Sequence, residues 1–191
     1  MVNVSETMTA SGLGRPKRQP NRALLIGIVL LAIFAVWFSA KGMRSRGDLL
    51  HPVPILPTVK MRINQCTFTL WVAATGAQQE KGLMNISSLS ASQGMIFVFQ
   101  PPQNARFWMK DTLIPLDILF LRKSGKVTNC TTMPVDNGKT IYRSRGPISF
   151  AIELKAGSIH RCGLHEGMVI KLPLRQLKAI SSAASREVSR P

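Results

Sequence analysis

The chain has 191 residues and a formal net charge of +16, enough length for one domain with extensions. The charge is spread along it, at +3 in residues 1–22, +4 in 41–62, +6 in 63–174 and +3 in 175–191. A nucleic-acid binder concentrates Lys and Arg on one element, interleaved with aromatics; no such element stands out, so nucleic acid is not an expected partner.

Residues 1–22 form a polar, basic tail with Gly and Pro. Residues 23–40, ALLIGIVLLAIFAVWFSA, carry no charge and as a helix would reach about 27 Å, close to the hydrocarbon thickness of a bilayer. Trp37 suits the interface at one end. A cleaved signal peptide has a shorter apolar region, and Phe38, two residues before Ala40, spoils the small-residue cleavage pattern. An uncleaved transmembrane helix is therefore expected. Arg15, Lys17, Arg18 and Arg22 precede it and Lys41, Arg44 and Arg46 follow it, nearly a tie under the positive-inside rule. The N-terminal amine and the short polar tail favour N-inside. The expectation is a single-pass protein of the inner (cytoplasmic) membrane with a periplasmic C-terminal domain.

Residues 41–57 are a spacer stiffened by Pro52, Pro54 and Pro57, in which Lys41, Arg44 and Arg46 are expected to contact anionic lipid. Residues 58–173 read as a mainly β domain, a small barrel-like antiparallel or mixed sheet with short helical turns. VKMRI and TFTLWVAAT suggest a hairpin about Asn64-Gln65, and GAQQEKGLM a helical turn ended by Gly82. GMIFVF (94–99), ARFWMK (105–110), LDILFLR (116–122), VTNCTTM, ISFAIEL (148–154) and GMVIKL (167–172) read as strands, with SIHRCG as a short helix. Residues 174–191 are a basic Ser/Ala-rich tail, either a frayed helix or disordered.

FWMKDTLIPLDILF (107–120) holds the densest chemistry. Its candidate ligand or partner site comprises Phe107, Trp108, Lys110, Asp111, Thr112 and Asp117. Two carboxylates can divide acid and base roles when their environments split their pKa values. Asp and Pro are equally turn-formers, and the favoured reading has Asp117 capping the next strand through turn amides. In a strand, Phe107 and Met109 would share one face and Trp108 and Lys110 the other.

HRCGLHE brings together His160, Cys162, His165 and Glu166, all capable ligands, but at a spacing that matches no common metal site. A surface helix with a buried Cys162 is expected instead, with no metal and no cofactor. Cys66, Cys130 and Cys162 show no CxxC spacing; two of them pair in an oxidising compartment, or all are small buried hydrophobes. Glu153, Lys155, Arg143 and Arg145 are expected on solvated rims. Ser144 and Ser149 lack an elbow motif, so a serine nucleophile is not expected.

The succession GLM (82–84), GMIFVF, FWMKDTLIPLDILF, a turn at Gly125, IELKAG (152–157) and G-x-x-x-G from Gly163 to Gly167 resembles the bacterial and archaeal family called domain of unknown function 192. The resemblance covers residues 58–173. It implies a small, mostly β fold in an envelope family that often carries an N-terminal signal or anchor, and it implies no reaction. Three positions depart from the family pattern. Asp111 stands where FWMKNT has an amide, Asn85 and Ile86 follow GLM where GLM-x-R is usual, and Met168 follows Gly167 where an acid is typical. A polar pocket built from those groups would have lost a cation and an acid.

The expected function is thus a membrane-anchored, non-catalytic accessory subunit of a membrane protein complex, or a binding domain near the bilayer. The alternative is a small-ligand binder or small enzyme using Lys110, Asp111 and Asp117. A third reading is a basic surface that contacts anionic lipid or an acidic partner.

Overall fold

The computed structural model describes residues 55–188. The tail 1–22, the apolar stretch 23–40 and the spacer to residue 54, with Lys41, Arg44 and Arg46, lie outside them. Eight strands and three helices follow in order: β1 Thr58–Ile63, β2 Cys66–Ala73, α1 Gly76–Lys81, β3 Gln93–Gln103, β4 Arg106–Phe107, β5 Leu116–Leu121, β6 Val127–Met133, β7 Tyr142–Arg143, β8 Ile148–Lys155, α2 Ser158–Cys162 and α3 Leu174–Val188.

β1 alternates, burying Val59, Met61 and Ile63 and exposing Thr58, Lys60 and Arg62. That is the period-2 pattern of a strand with one wet face, and its cations suit an edge. Asn64, in the left-handed region at φ 53, turns the chain into β2, with Ile63 opposite Cys66. A capping box starts α1: Gln78 donates its backbone N–H to the Thr75 hydroxyl and accepts the Thr75 N–H on its side chain. α1 and the following loop carry the chain across to β3, which pairs parallel with β2.

The main sheet has six strands in the order β1-β2-β3-β8-β5-β6, mixed through the parallel β2–β3 pair. β1 and β6 are open edges, so the expected barrel-like closure does not form. β8 and β5 lie in the interior, and every residue of β5 is buried. A strand covered on both faces reads as a continuous apolar run, which is why LDILFL and ISFAIEL lack alternation. β4 and β7 form a separate two-stranded sheet. ARFWMK is therefore a strand only at Arg106–Phe107, and GMVIKL contributes one bridge, Lys126 to Val169, instead of a strand.

Each face of the sheet carries a core. On the first, Phe68, Leu70, Val98, Leu119, Phe150 and Ile152 pack with Cys162, Leu164, Ile170 and Leu177 of α3. The C-terminal tail is thus a docked helix as far as Val188. On the second, Trp71, Met95, Phe97, Ile118 and Phe120 pack under Leu83, Ile86, Leu89 and Met109. Among the described residues no helix is long and apolar enough to cross a membrane.

Candidate functional site

The second face bears a cavity of about 280 Å³, near the lower end of the range of about 300–1,000 Å³ usual for small-molecule sites. α1 walls one side, fixed to the sheet where the Gln79 side chain donates to the Val98 carbonyl at 2.7 Å. The β4–β7 ribbon and the turn after it wall the other, contributing Arg106, Phe107, Trp108 and Thr112. Phe107 is the hub of an aromatic cluster, edge-on to Phe97 at 4.9 Å, to Phe120 at 5.7 Å and to Phe99 at 6.4 Å. Such edge-to-face pairs contribute beyond their buried area.

Glu153 of β8 lines this cavity. It sits between Met95 of β3 and Ile118 of β5 and is only 5% exposed. The expectation of a solvated rim is overturned for this residue, though Lys155, Arg143 and Arg145 are exposed. The sequence signal was present but faint: along ISFAIELK, Glu153 falls on the same side of the strand as Ala151. Burial pushes its carboxyl up to about 8, so it is mostly uncharged at neutral pH. Burial is the one cause of that shift, with no hydrogen bond contributing to it. The backbone beside it is tightly packed, because a Cβ on Gly94 would lie 2.3 Å from the Glu153 carbonyl oxygen.

The six candidates from 107–120 separate. Phe107, Trp108 and Thr112 line the cavity. Lys110 and Asp111 occupy an exposed turn, and Asp111 is left-handed at φ 52. Asp117 lies on the opposite face of the sheet, away from the cavity. Its carboxylate accepts the Thr132 hydroxyl and the Ile159 N–H, both at 2.7 Å. Met109 is buried and Trp108 and Lys110 exposed, so the expected alternation survives although the backbone is a turn.

His160 and His165 are exposed, while Cys162 is bonded to Cys66 and has no thiolate to offer. Glu166 pairs with Arg145. Among the described residues no group of three or more His, Cys, Asp or Glu could hold a metal ion. The disulfide closes the choice that spacing left open, and Cys130 is the free thiol.

Beside the cavity Trp108 is 46% exposed, and Leu113 (52%), Val135 (51%) and Ile141 (39%) also face solvent. Trp108 directly follows β4 and Ile141 directly precedes β7, the two strands that pair through Phe107↔Tyr142. Val135 lies two residues past the end of β6, and Leu113 three residues before the start of β5. Asp136 holds the intervening loop, accepting from the Gly138 N–H at 3.0 Å and the Thr140 N–H at 2.9 Å. Hydrogen bonds, the Thr140 side chain foremost, lower its pKa.

Residues 59–172 match the family model of domain of unknown function 192, described as "Uncharacterized ACR". The chain belongs to this family. A solved protein of unknown function from Novosphingobium aromaticivorans DSM 12444 is similar to it, 32% identical with a TM-score of 0.60, over 69% of this chain and 99% of that one. Also similar is a protein from Sinorhizobium meliloti 1021 whose description suggests a transcription regulator, at 29% identity and a TM-score of 0.56, over 62% of this chain and 97% of that one. No curated protein matches significantly. The family match stops before α3. Two of the positions where the chain leaves the domain of unknown function 192 pattern lie close together, since the Asn85 N–H donates to the Asp111 carbonyl at 2.8 Å, and Ile86 is buried in the second core.

Proposed function

We propose that this chain is a membrane-tethered, extracytoplasmic binding module that does no chemistry of its own and serves as an accessory subunit of a membrane protein complex. The solvent-facing Trp108, Leu113, Val135 and Ile141, on the segments next to β4, β5, β6 and β7, carry the reading. Large apolar side chains gathered on a braced backbone are what an interface presents to a partner. The Cys66–Cys162 disulfide supports an oxidising compartment, and the uncharged stretch 23–40 supports a tether. The non-catalytic reading is supported by Asp117, whose carboxylate is engaged by Thr132 and Ile159 and not by Lys110.

The test is purification of the full-length chain from its own membrane in mild detergent, in parallel with a Trp108→Ser/Leu113→Ser variant. A stoichiometric protein partner is expected with the parent chain and not with the variant. Solitary elution of both rejects the reading. A C-terminal alkaline phosphatase fusion, expected to be active, tests the side of the membrane.

A further inference from the structure

Glu153 is the one acid that β8 buries, and it faces a cavity instead of a partner. Placing an acid in the interior of a sheet without a hydrogen bond is costly, and a buried polar group aimed into a cavity is ordinarily answered by what enters it. The cavity walls define the chemistry of that occupant. The rings of Phe97, Phe99 and Phe107 present flat apolar surface. At the mouth stand Lys81 and Glu80 of α1 and Arg106 of β4, and these with Glu153 are the charged or titratable groups lining the space.

We propose that this cavity binds a small ring-bearing carboxylic acid, with an uncharged hydrogen-bonding group against Glu153, its ring among Phe97, Phe99 and Phe107, and its carboxylate at Lys81 and Arg106. The inference does not rest on the partner reading above. An uncharged Glu153 can both donate to and accept from a hydroxyl or carbonyl. A ligand amine would instead draw Glu153 into its charged form and would meet Lys81 and Arg106 on the way in, whereas a carboxylate is attracted by both. The cavity volume limits the body to one or two rings.

Calorimetric titration of the full-length chain in detergent with three probes tests this: 4-hydroxyphenylacetate, phenylacetate, which lacks the inner hydroxyl, and tyramine, which keeps the hydroxyl but carries an ammonium. Saturable binding of 4-hydroxyphenylacetate is expected, about 3- to 10-fold weaker for phenylacetate, the worth of one hydrogen bond, and weakest for tyramine. Affinity should fall by about tenfold as pH rises through the Glu153 pKa of about 8 and then level off, as a charge of the same sign as the ligand carboxylate appears. Glu153→Gln, uncharged at every pH, should bind 4-hydroxyphenylacetate at neutral pH and lose that slope. Tighter binding of tyramine, no saturable binding of any probe, an affinity flat with pH in the parent chain, or a slope retained in Glu153→Gln would each overturn the proposal.

Discussion

Asp117 and Ile159 are 42 residues apart in sequence, yet the carboxylate of the first accepts the backbone N–H of the second at 2.7 Å. The contact ties β5 to the first turn of α2, where a helix N–H has no intrahelical acceptor. Asp117→Ala leaves that N–H and the Thr132 hydroxyl without an acceptor, and should destabilise the domain by about 2–4 kcal/mol in urea titration. Thr132→Val, which removes a donor but leaves Asp117 bonded to Ile159, should cost about 1 kcal/mol. Equal losses in the two variants would show that Asp117 is not the shared acceptor.

Glu153 ties stability to pH. Its carboxyl moves from an ordinary value of 4.5 up to about 8 on folding. Below pH 4.5 both states hold the proton. Between these values the unfolded chain ionises while the fold keeps the group neutral, so its contribution to stability falls as pH rises through that window, by on the order of 5 kcal/mol in full. Glu153→Gln removes the term. The variant should match the parent near about pH 4.5 and exceed it increasingly up to about pH 9. A constant gap between the two denaturation midpoints would contradict the buried, unpaired acid.

The cysteines make a chemical count possible. With Cys66 bonded to Cys162 and Cys130 free, the unfolded, unreduced chain should take one maleimide, and all three cysteines should react after reduction. In the folded protein Cys130 should react slowly, because burial, and then the carboxylates of Glu166 and Asp117, raise its thiol pKa. The disulfide spans 96 residues, and by loop entropy Cys66→Ser/Cys162→Ser should lose roughly 3–5 kcal/mol. Mass spectrometry and denaturant titration read these outcomes.

Asp111 sits at φ 52, where Asn and Asp are the non-glycine residues that rest most easily. Asp111→Asn should change stability by less than about 0.5 kcal/mol, whereas Asp111→Val should cost about 1–2 kcal/mol. Similar stability for the two variants in thermal melts would show that the turn does not depend on the left-handed conformation.

Local chemistry made much of the fold readable. The alternation of TVKMRI, the turn-forming Asn64 and the helical turn of GAQQEKGLM ended by Gly82 act within a few residues and need no tertiary help. The apolar runs of β3, β5 and β8 were recognisable as strands because central strands are covered on both faces. ARFWMK misled because its alternation persists through a turn, where Met109 enters the core without strand pairing. GMVIKL has strand composition, but its segment makes only the bridge at Val169.

The site was harder to read than the fold. Phe107, Trp108 and Thr112 come from the stretch whose composition drew attention, but the partners that make a cavity of them, α1 and Glu153, are distant in sequence. Asp117 and Glu153 lie on adjacent strands, one residue out of register, with Asp117 opposite Leu154 and Ile118 opposite Glu153. Side chains alternate across a sheet, so that single step sends one carboxylate to Thr132 and Ile159 and the other into the cavity. The sequence by itself determined the long strands β1, β2, β3, β5, β6 and β8 and the membership of domain of unknown function 192, because these follow from local periodicity, backbone preference and motif order. Only the tertiary structure decided which cysteines pair, that the sheet stays open and which acid is buried, because each depends on strand order and register, set by contacts between residues far apart in the chain.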